Sequence, residues 1–269
     1  MTTAAPTTTF DVSRTPGIPF SRLFLVELRK SADTRAGRWL IGITVGLCLV
    51  AEVIFLLVAA NHSRSDVPAS YGDFVGVSAF VSSVLLPVLG IMLVTSEWSQ
   101  RTAMTTFSLE PRRMRIVTAK LLAGVTLTFF VIAFALVVGL ACNLILGAVR
   151  SGGADWTFGW TGFLGFLITQ TFAMLGGFAL ACLLLNTAAA IVAFFAYKWV
   201  LPVLFFWGGA LMGWFKSLSP WLDFQSAQSE LYDMPLSASQ WWHLVVSGFV
   251  WLVVPLGIGL WRILRAEVK

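Results

Sequence analysis

Six stretches of this 269-residue chain are each long and continuously apolar enough to cross a bilayer. A helical span needs roughly 20 consecutive apolar residues. The stretches cover about 39–60, 74–95, 120–148, 160–185, 188–212 and 243–264. None alternates polar and apolar positions, so the strands of an outer-membrane barrel are a poor reading. Composition agrees: 58% of residues are hydrophobic and 12% charged, against about a quarter charged in soluble domains. A water-soluble globule, a disordered chain, a collagen-like fibre and a disulfide scaffold are excluded. The fold class expected is an all-α integral membrane protein with six transmembrane helices. Several stretches exceed what a bilayer requires, so tilt or a helix projecting past the interface is expected. The weakest boundary is Asn186–Thr187, the polar pair between spans four and five.

The connecting segments are strongly biased in charge. Arg14, Arg22, Arg29, Lys30, Arg35 and Arg38 precede span one. Arg101, Arg112, Arg113, Arg115 and Lys120 follow span two, and Arg262, Arg265 and Lys269 close the chain. The other side holds only Arg64, Arg150 and Lys216, beside Asp66, Asp73, Asp155, Asp223, Glu230 and Asp233. The positive-inside rule therefore puts both termini in the cytoplasm, and the even number of spans agrees. The formal net charge of +5 is thus first a topology signal of a plasma (inner) membrane protein, not a nucleic-acid footprint. Tryptophans mark the same boundaries, with Trp39, Trp98 and Trp261 at inner ends and Trp156, Trp160, Trp214, Trp221, Trp241 and Trp242 at outer ones. Trp199 and Trp251 fall within spans and read as packing residues.

Cys48, Cys142 and Cys182 lie inside spans, without ligand-type neighbours, and read as small core hydrophobes. His62 and His243 are isolated, so no metal site is expected. Residues 1–19 are rich in Thr and Pro and read as a disordered cytoplasmic tail, with 20–269 a single six-span domain. In 19–40, Phe20, Leu23, Phe24 and Leu28 share one helical face, opposite Arg22, Glu27, Arg29 and Lys30. A basic amphipathic helix lying in the headgroup layer is expected, as topological anchor or as an elbow bracing span one.

The segment between spans two and three is the most specific. Ser96 can cap a helix with Glu97 in its first turn, and Glu97 and Arg101 stand at i,i+4 and can pair. Pro111 ends that helix, and Arg112, Arg113 and Arg115 then enter span three at the anionic headgroups. The chain is expected to leave the membrane, form a short cytoplasmic helix and return. A helix so placed can carry a push from a soluble partner into two spans.

The pattern of Glu97, Arg101, Thr102, Thr106, Leu109, Pro111, Arg113, Ala119 and Lys120 resembles the signature of type-2 ATP-binding-cassette permeases. In that family a segment of the form E-x3-R/G-T…L…P-x-R…A-K follows the second span. Glu27 and Lys30, and the run Leu218, Ser219, Pro220, are similar to the family as well. One departure is Arg101, where many relatives have glycine before the threonine. The resemblance implies the permease subunit of an exporter, paired with a second copy or a paralogue. Two ATP-binding-cassette ATPase subunits would dock on the cytoplasmic face. The helix from about 97 to 109 would be the coupling helix, with Glu97, Trp98, Arg101, Thr102, Thr106, Phe107, Leu109, Pro111 and Arg113 coupling to the ATPase. It also implies an outer helical element before span six, acting as an external gate. ATP and Mg would bind the partner, leaving this chain without a cofactor, and independently the chain carries no G-x4-G-K-[S/T] loop.

Polar residues within spans are the remaining candidates. Glu52 and Lys198 could pair across the bundle or line an export path; alternatively Glu52 is protonated and Lys198 snorkels. Asn143, Gln170 and Asn186 read as interhelical glue or path residues. The glycines of Gly42-x3-Gly46, Gly176-Gly177 and Gly208-Gly209 permit close helix approach. The cargo class implied is an amphipathic small molecule, peptide or lipid-like compound. Two other functions compete. A sensor or scaffold could use the same ATPase-docking plan without transport. An intramembrane protease would need more than Ser247 and His243 on one helix, and paired His/Glu motifs are missing.

Overall fold

A computed structural model describes residues 17–63, 67–100, 102–150 and 153–265. Most of the expected N-terminal tail, up to residue 16, lies outside the described residues, as do Arg64, Asp66, Arg101 and Lys269. Every regular element among the described residues is a helix. In chain order the first six are α1 (Phe20–Asp33), α2 (Arg35–Ala60), α3 (Tyr71–Ser99), α4 (Ala103–Leu109), α5 (Arg113–Val149) and α6 (Gly159–Leu184). Span five is α7 (Thr187–Phe195) and α8 (Leu201–Leu211), joined by a π-helical turn, Ala196–Val200. Then follow α9 (Gly213–Leu222), α10 (Phe224–Ser229) and a 3-10 turn, Glu230–Asp233, a helical element before the last span. Span six is α11 (Ala238–Gly248) and α12 (Val254–Arg265), joined by a second π turn, Phe249–Val253. Six helical segments are long and apolar enough to cross a membrane, the build of a multi-pass membrane protein.

The span ends follow from local chemistry. At 37 residues α5 is about 55 Å long, well beyond a hydrocarbon core of about 30 Å. It starts at Arg113, two turns before the expected boundary, so Lys120 lies inside the helix and is buried. Ser70 and Asp73 form a reciprocal capping box on α3. Between spans four and five the chain breaks at Leu185, in the left-handed region at φ 52°, and Asn186 caps α7 by accepting from Ala189 N at 3.0 Å. Asn186 is therefore a cap and not interhelical glue.

The core is the crossing of α3 and α6. Lipid removes the hydrophobic drive between apolar helices, so close contact and polar bonds must hold them. Small residues permit that contact here. A Cβ on Gly90 would fall 2.5 Å from the Met174 carbonyl oxygen, and one on Gly177 would meet the Pro87 carbonyl oxygen. Gln170 adds the polar bonds, accepting from Ser82 Oγ at 2.9 Å and donating to the Ala79 carbonyl at 3.3 Å. By contrast, nothing approaches Gly42 or Gly46. Cys48, Cys142 and Cys182 are buried, as expected. Trp251 packs inside, its Nε1 donating to the Leu222 carbonyl at 2.8 Å. Trp199 departs from the expectation: it is 48% exposed on the outside of the bundle, its edge against Phe80.

Both described termini lie at one end of the bundle. Arg115 donates to the Ile18 carbonyl and Arg113 to the Ile263 carbonyl, each at 2.6 Å. That terminal end also carries α1 and α4, while α9, α10 and the loops after α2 and α5 occupy the far end. The apolar face of α1 packs on protein: Phe24 and Leu28 lie against Leu89, Leu93, Ala123 and Leu127.

Candidate functional site

The terminal end holds two linked constructions, an anchored short helix and a buried ring of charge. In α3 no proline or glycine follows Gly90 before residue 100, so the helix runs on through Ser96 to Ser99. Ser96 is consequently not the cap of the loop helix, and Glu97 is not in that helix's first turn. Thr102 takes the cap position of α4, its amide donating to the Glu97 carbonyl at 2.9 Å. The expected 97–109 coupling helix is thus divided: Glu97 and Trp98 end a span, and the short helix is Ala103–Leu109. Glu110 is extended at φ −134°, ψ 97°, the conformation imposed on a residue before proline, and Pro111 therefore stops α4 as expected.

Phe107 is the anchor of α4. Its ring lies 6.3 Å from that of Trp98 on α3, and the Arg113 guanidinium stands 5.0 Å over it. The same guanidinium donates to the carbonyls of Ile263 and Leu264 at the end of α12. A cation over an aromatic ring contributes about 0.5–1 kcal/mol at exposed sites, and the last carbonyls of a helix favour a cation. Arg113 thus connects α4 to spans three and six, and the Trp98–Phe107 contact connects it to span two. On its other side Arg115 bonds Glu110 Oε2 at 2.6 Å while holding the Ile18 carbonyl. The remaining face of α4 is open: Met104 is 55% and Leu109 70% exposed, with Thr102, Thr105 and Ser108 beside them.

Beneath α4 four charges form a ring across three helices. Lys30 Nζ of α1 lies 2.7 Å from Glu27 Oε1 and 2.8 Å from Glu97 Oε1 of α3. Lys120 Nζ of α5 lies 2.7 Å from Glu27 Oε2 and 3.0 Å from Glu97 Oε1. Each carboxylate touches both ammoniums, so the ring is neutral. Glu27, Glu97 and Lys120 are buried, whereas the Lys30 side chain is 42% exposed. Burial pulls the Lys30 ammonium down, but the bonds and charges of Glu27 and Glu97 outweigh it and raise its pKa above the ordinary 10.5. A cavity of about 810 Å³ separates α1 from α4, with Leu23, Met92, Thr106 and the ring on its walls. The two short helices therefore share one polar floor and have room between them.

The expected Glu97–Arg101 pair has a different partner set, since Glu97 is held by the two lysines and Arg101 lies outside the described residues. Sequence reasoning singled out Glu27, Lys30, Glu97 and Lys120 separately but did not join them. The available signal was that each is a charge at the edge of an apolar segment, where an unpaired ion is costly.

The in-span candidates do not converge. Glu52 is fully buried and accepts a hydrogen bond from Ser78 Oγ on α3. No ion pair joins it to Lys198 among the described residues. Lys198 lies instead in the π turn of span five, over the Trp199 ring. Asn143 donates to the Asp155 carbonyl at 3.0 Å and ties α5 to the far-end loop. The Ser247 hydroxyl is taken by the main-chain carbonyl of His243, not by the imidazole. Among the described residues no cluster of His, Cys, Asp and Glu could hold a metal ion.

No protein-family model matches this chain, and no curated protein matches it.

Proposed function

We propose that this chain is the membrane-spanning permease subunit of an ATP-driven exporter of the type-2 ATP-binding-cassette kind. It pairs with a second copy or a paralogue, and each permease receives one ATPase subunit at the terminal end, which faces the cytoplasm. ATP and Mg are bound by those partners. α4 is the coupling helix, and its open face, centred on Met104 and Leu109, seats in the ATPase. The cargo is an amphipathic small molecule, peptide or lipid-like compound moved outward.

The observation that carries this reading is the way α4 is held. An exposed apolar face on a seven-residue helix is a poor element by itself, because so short a helix is not stable in isolation. Here its inner residue Phe107 is gripped by Trp98 and Arg113, and Arg113 in turn grips the end of α12. A force on the open face therefore reaches spans two, three and six directly. Through the charge ring it also reaches α1. This is the mechanical requirement for coupling a soluble engine to a bundle.

The test is reconstitution of the full chain in nanodiscs with the ATP-binding subunit that co-purifies with it, followed by hydrolysis and cargo-transport assays. Met104→Asp and Leu109→Asp should weaken association about tenfold or more, each inserting a carboxylate into an apolar contact. Hydrolysis and association untouched by both substitutions would remove α4 from the coupling role. Intact hydrolysis without movement of any amphipathic cargo would favour a sensor.

A further inference from the structure

Spans two, four, five and six and the short helices of the far end line a second, open-sided cavity of about 250 Å³. Its lining contains no Asp or Glu. It does contain Lys198, an ammonium on a spanning helix with no carboxylate partner among the described residues. That ammonium has only the Trp199 ring, 5.8 Å from Nζ to centroid. Ionisable groups in spans are costly and ordinarily face a partner or a pathway. The neighbouring Tyr197 hydroxyl is buried, with the side chain of Gln225 beside it as its polar neighbour.

Other polar groups of the lining are already committed. Gln170 is bonded to Ser82 and Ala79, Thr169 to Tyr232, and Gln228 to the Phe224 carbonyl. Ser83 and Ser229 donate to the Phe80 and Ser226 carbonyls, which leaves Lys198, with no carboxylate, and Tyr197, with Gln225 beside it. Lys198 and Tyr197 both sit in the π turn Ala196–Val200, a helix irregularity found frequently at functional sites. Tyr197 packs 4.8 Å from Trp251, which belongs to the π turn of span six. The remaining walls are apolar, with Phe80, Phe172 and Leu252 among them.

We infer that this cavity binds the acidic head of an amphipathic anion, a carboxylate, phosphate or sulfate ester carrying an apolar tail. Lys198 supplies the opposite charge, and the Tyr197 hydroxyl and the Gln225 amide supply hydrogen bonds. The head lies between the two π turns, and the first carbons of the tail lie against Phe80, Phe172 and Leu252. The volume falls below the 300–1,000 Å³ usual for a whole drug-sized ligand, so the rest of the tail extends out between the spans. As a statement about cargo this rests on the exporter reading; as a binding site it does not.

The test uses the full chain in phosphatidylcholine nanodiscs, without an ATPase, and two fluorescent probes: dansyl-undecanoic acid and its neutral amide. The acid should bind saturably and the amide should not. Lys198→Gln should weaken the acid about ten- to a hundredfold, as expected for loss of a charged hydrogen-bonding partner, with Lys198→Arg restoring much of the binding. Gln225→Ala should weaken it by a smaller factor. Equal binding of acid and amide to the unaltered chain would overturn the site even if the Lys198 variants failed to fold. So would unchanged affinity in a folded Lys198→Gln protein. Nanodiscs with added phosphatidylglycerol distinguish the sources of the anion: displacement of the probe assigns the site to an anionic bilayer lipid, and retention assigns it to a separate amphipathic anion. Because no ATPase is present, absence of any coupled hydrolysis leaves this result standing. Loss of the site likewise leaves the coupling of α4 standing.

Discussion

Within the four-charge ring the residues are not equivalent, and burial decides which matters. Lys120 and Glu27 are both buried and meet at 2.7 Å, so removing either strands a charge among desolvated neighbours. Breaking a buried pair by removing one partner costs about 3–5 kcal/mol, whereas an exposed pair contributes about 0–1 kcal/mol. Lys120→Met should therefore destabilise the protein strongly in detergent unfolding, and Lys30→Met, at 42% side-chain exposure, only weakly. Equal losses would show that the ring does not act as a buried unit. The pH dependence has a definite sign. The Lys30 pKa is raised in the folded state, so its contribution is complete below the ordinary value of 10.5 and is lost as pH rises through the folded value. The alkaline fall in thermal stability should accordingly be shallower in Lys30→Met than in the unaltered chain. Of these pairs only Glu27–Lys30, at i,i+3 on α1, follows a local rule. Lys30 and Glu97 stand 67 positions apart and Glu27 and Lys120 stand 93 apart, and no local rule connects residues at such separations.

For the helices, local signals told more, though unevenly. Pro111 marked the end of α4 because proline constrains the residue before it whatever the tertiary context. The start was misplaced because serine serves equally as a cap or as a residue within a helix, and nothing in 91–99 interrupts the turn. Packing on Phe107 and the open face of α4 should separate by substitution. Phe107→Ala should lower stability by about 1–3 kcal/mol, the value of burying a large apolar side chain. Leu109→Asp should leave stability within about 0.5 kcal/mol, since the residue touches little. Glycine patterns were equally uneven. Gly177 of the Gly176-Gly177 pair lies against Pro87, whereas Gly42 and Gly46, four positions apart and read in the same way, face open space within this chain. Gly177→Val should separate α3 from α6 and lower the melting temperature sharply, while Gly46→Ala should leave it unchanged. Thermal unfolding of the two variants in one detergent checks both.

Across the molecule, the six spans were legible because the length of apolar sequence needed to cross a bilayer is a physical constant that no packing detail overrides. Both described termini meeting at one end follows from an even number of spans, and the contacts of Arg113 and Arg115 bear it out. The far-end cavity was not legible, since Lys198 and Gln225 belong to different elements and only the folded bundle brings them to one wall. In the exporter proposed, α4 and the ring lie at the end that meets the ATPase, and the anion site between the two π turns lies towards the other. The central claim is that α4 meets an ATP-binding subunit. A photo-crosslinker attached at Leu109→Cys tests it most directly, with Cys48, Cys142 and Cys182 left in place because they are buried. The same label at Trp214→Cys, in α9 at the far end, is the control. The prediction is an adduct between Leu109→Cys and an ATP-binding subunit that depends on nucleotide, with none from Trp214→Cys. Adducts from both positions, or from neither, would contradict it.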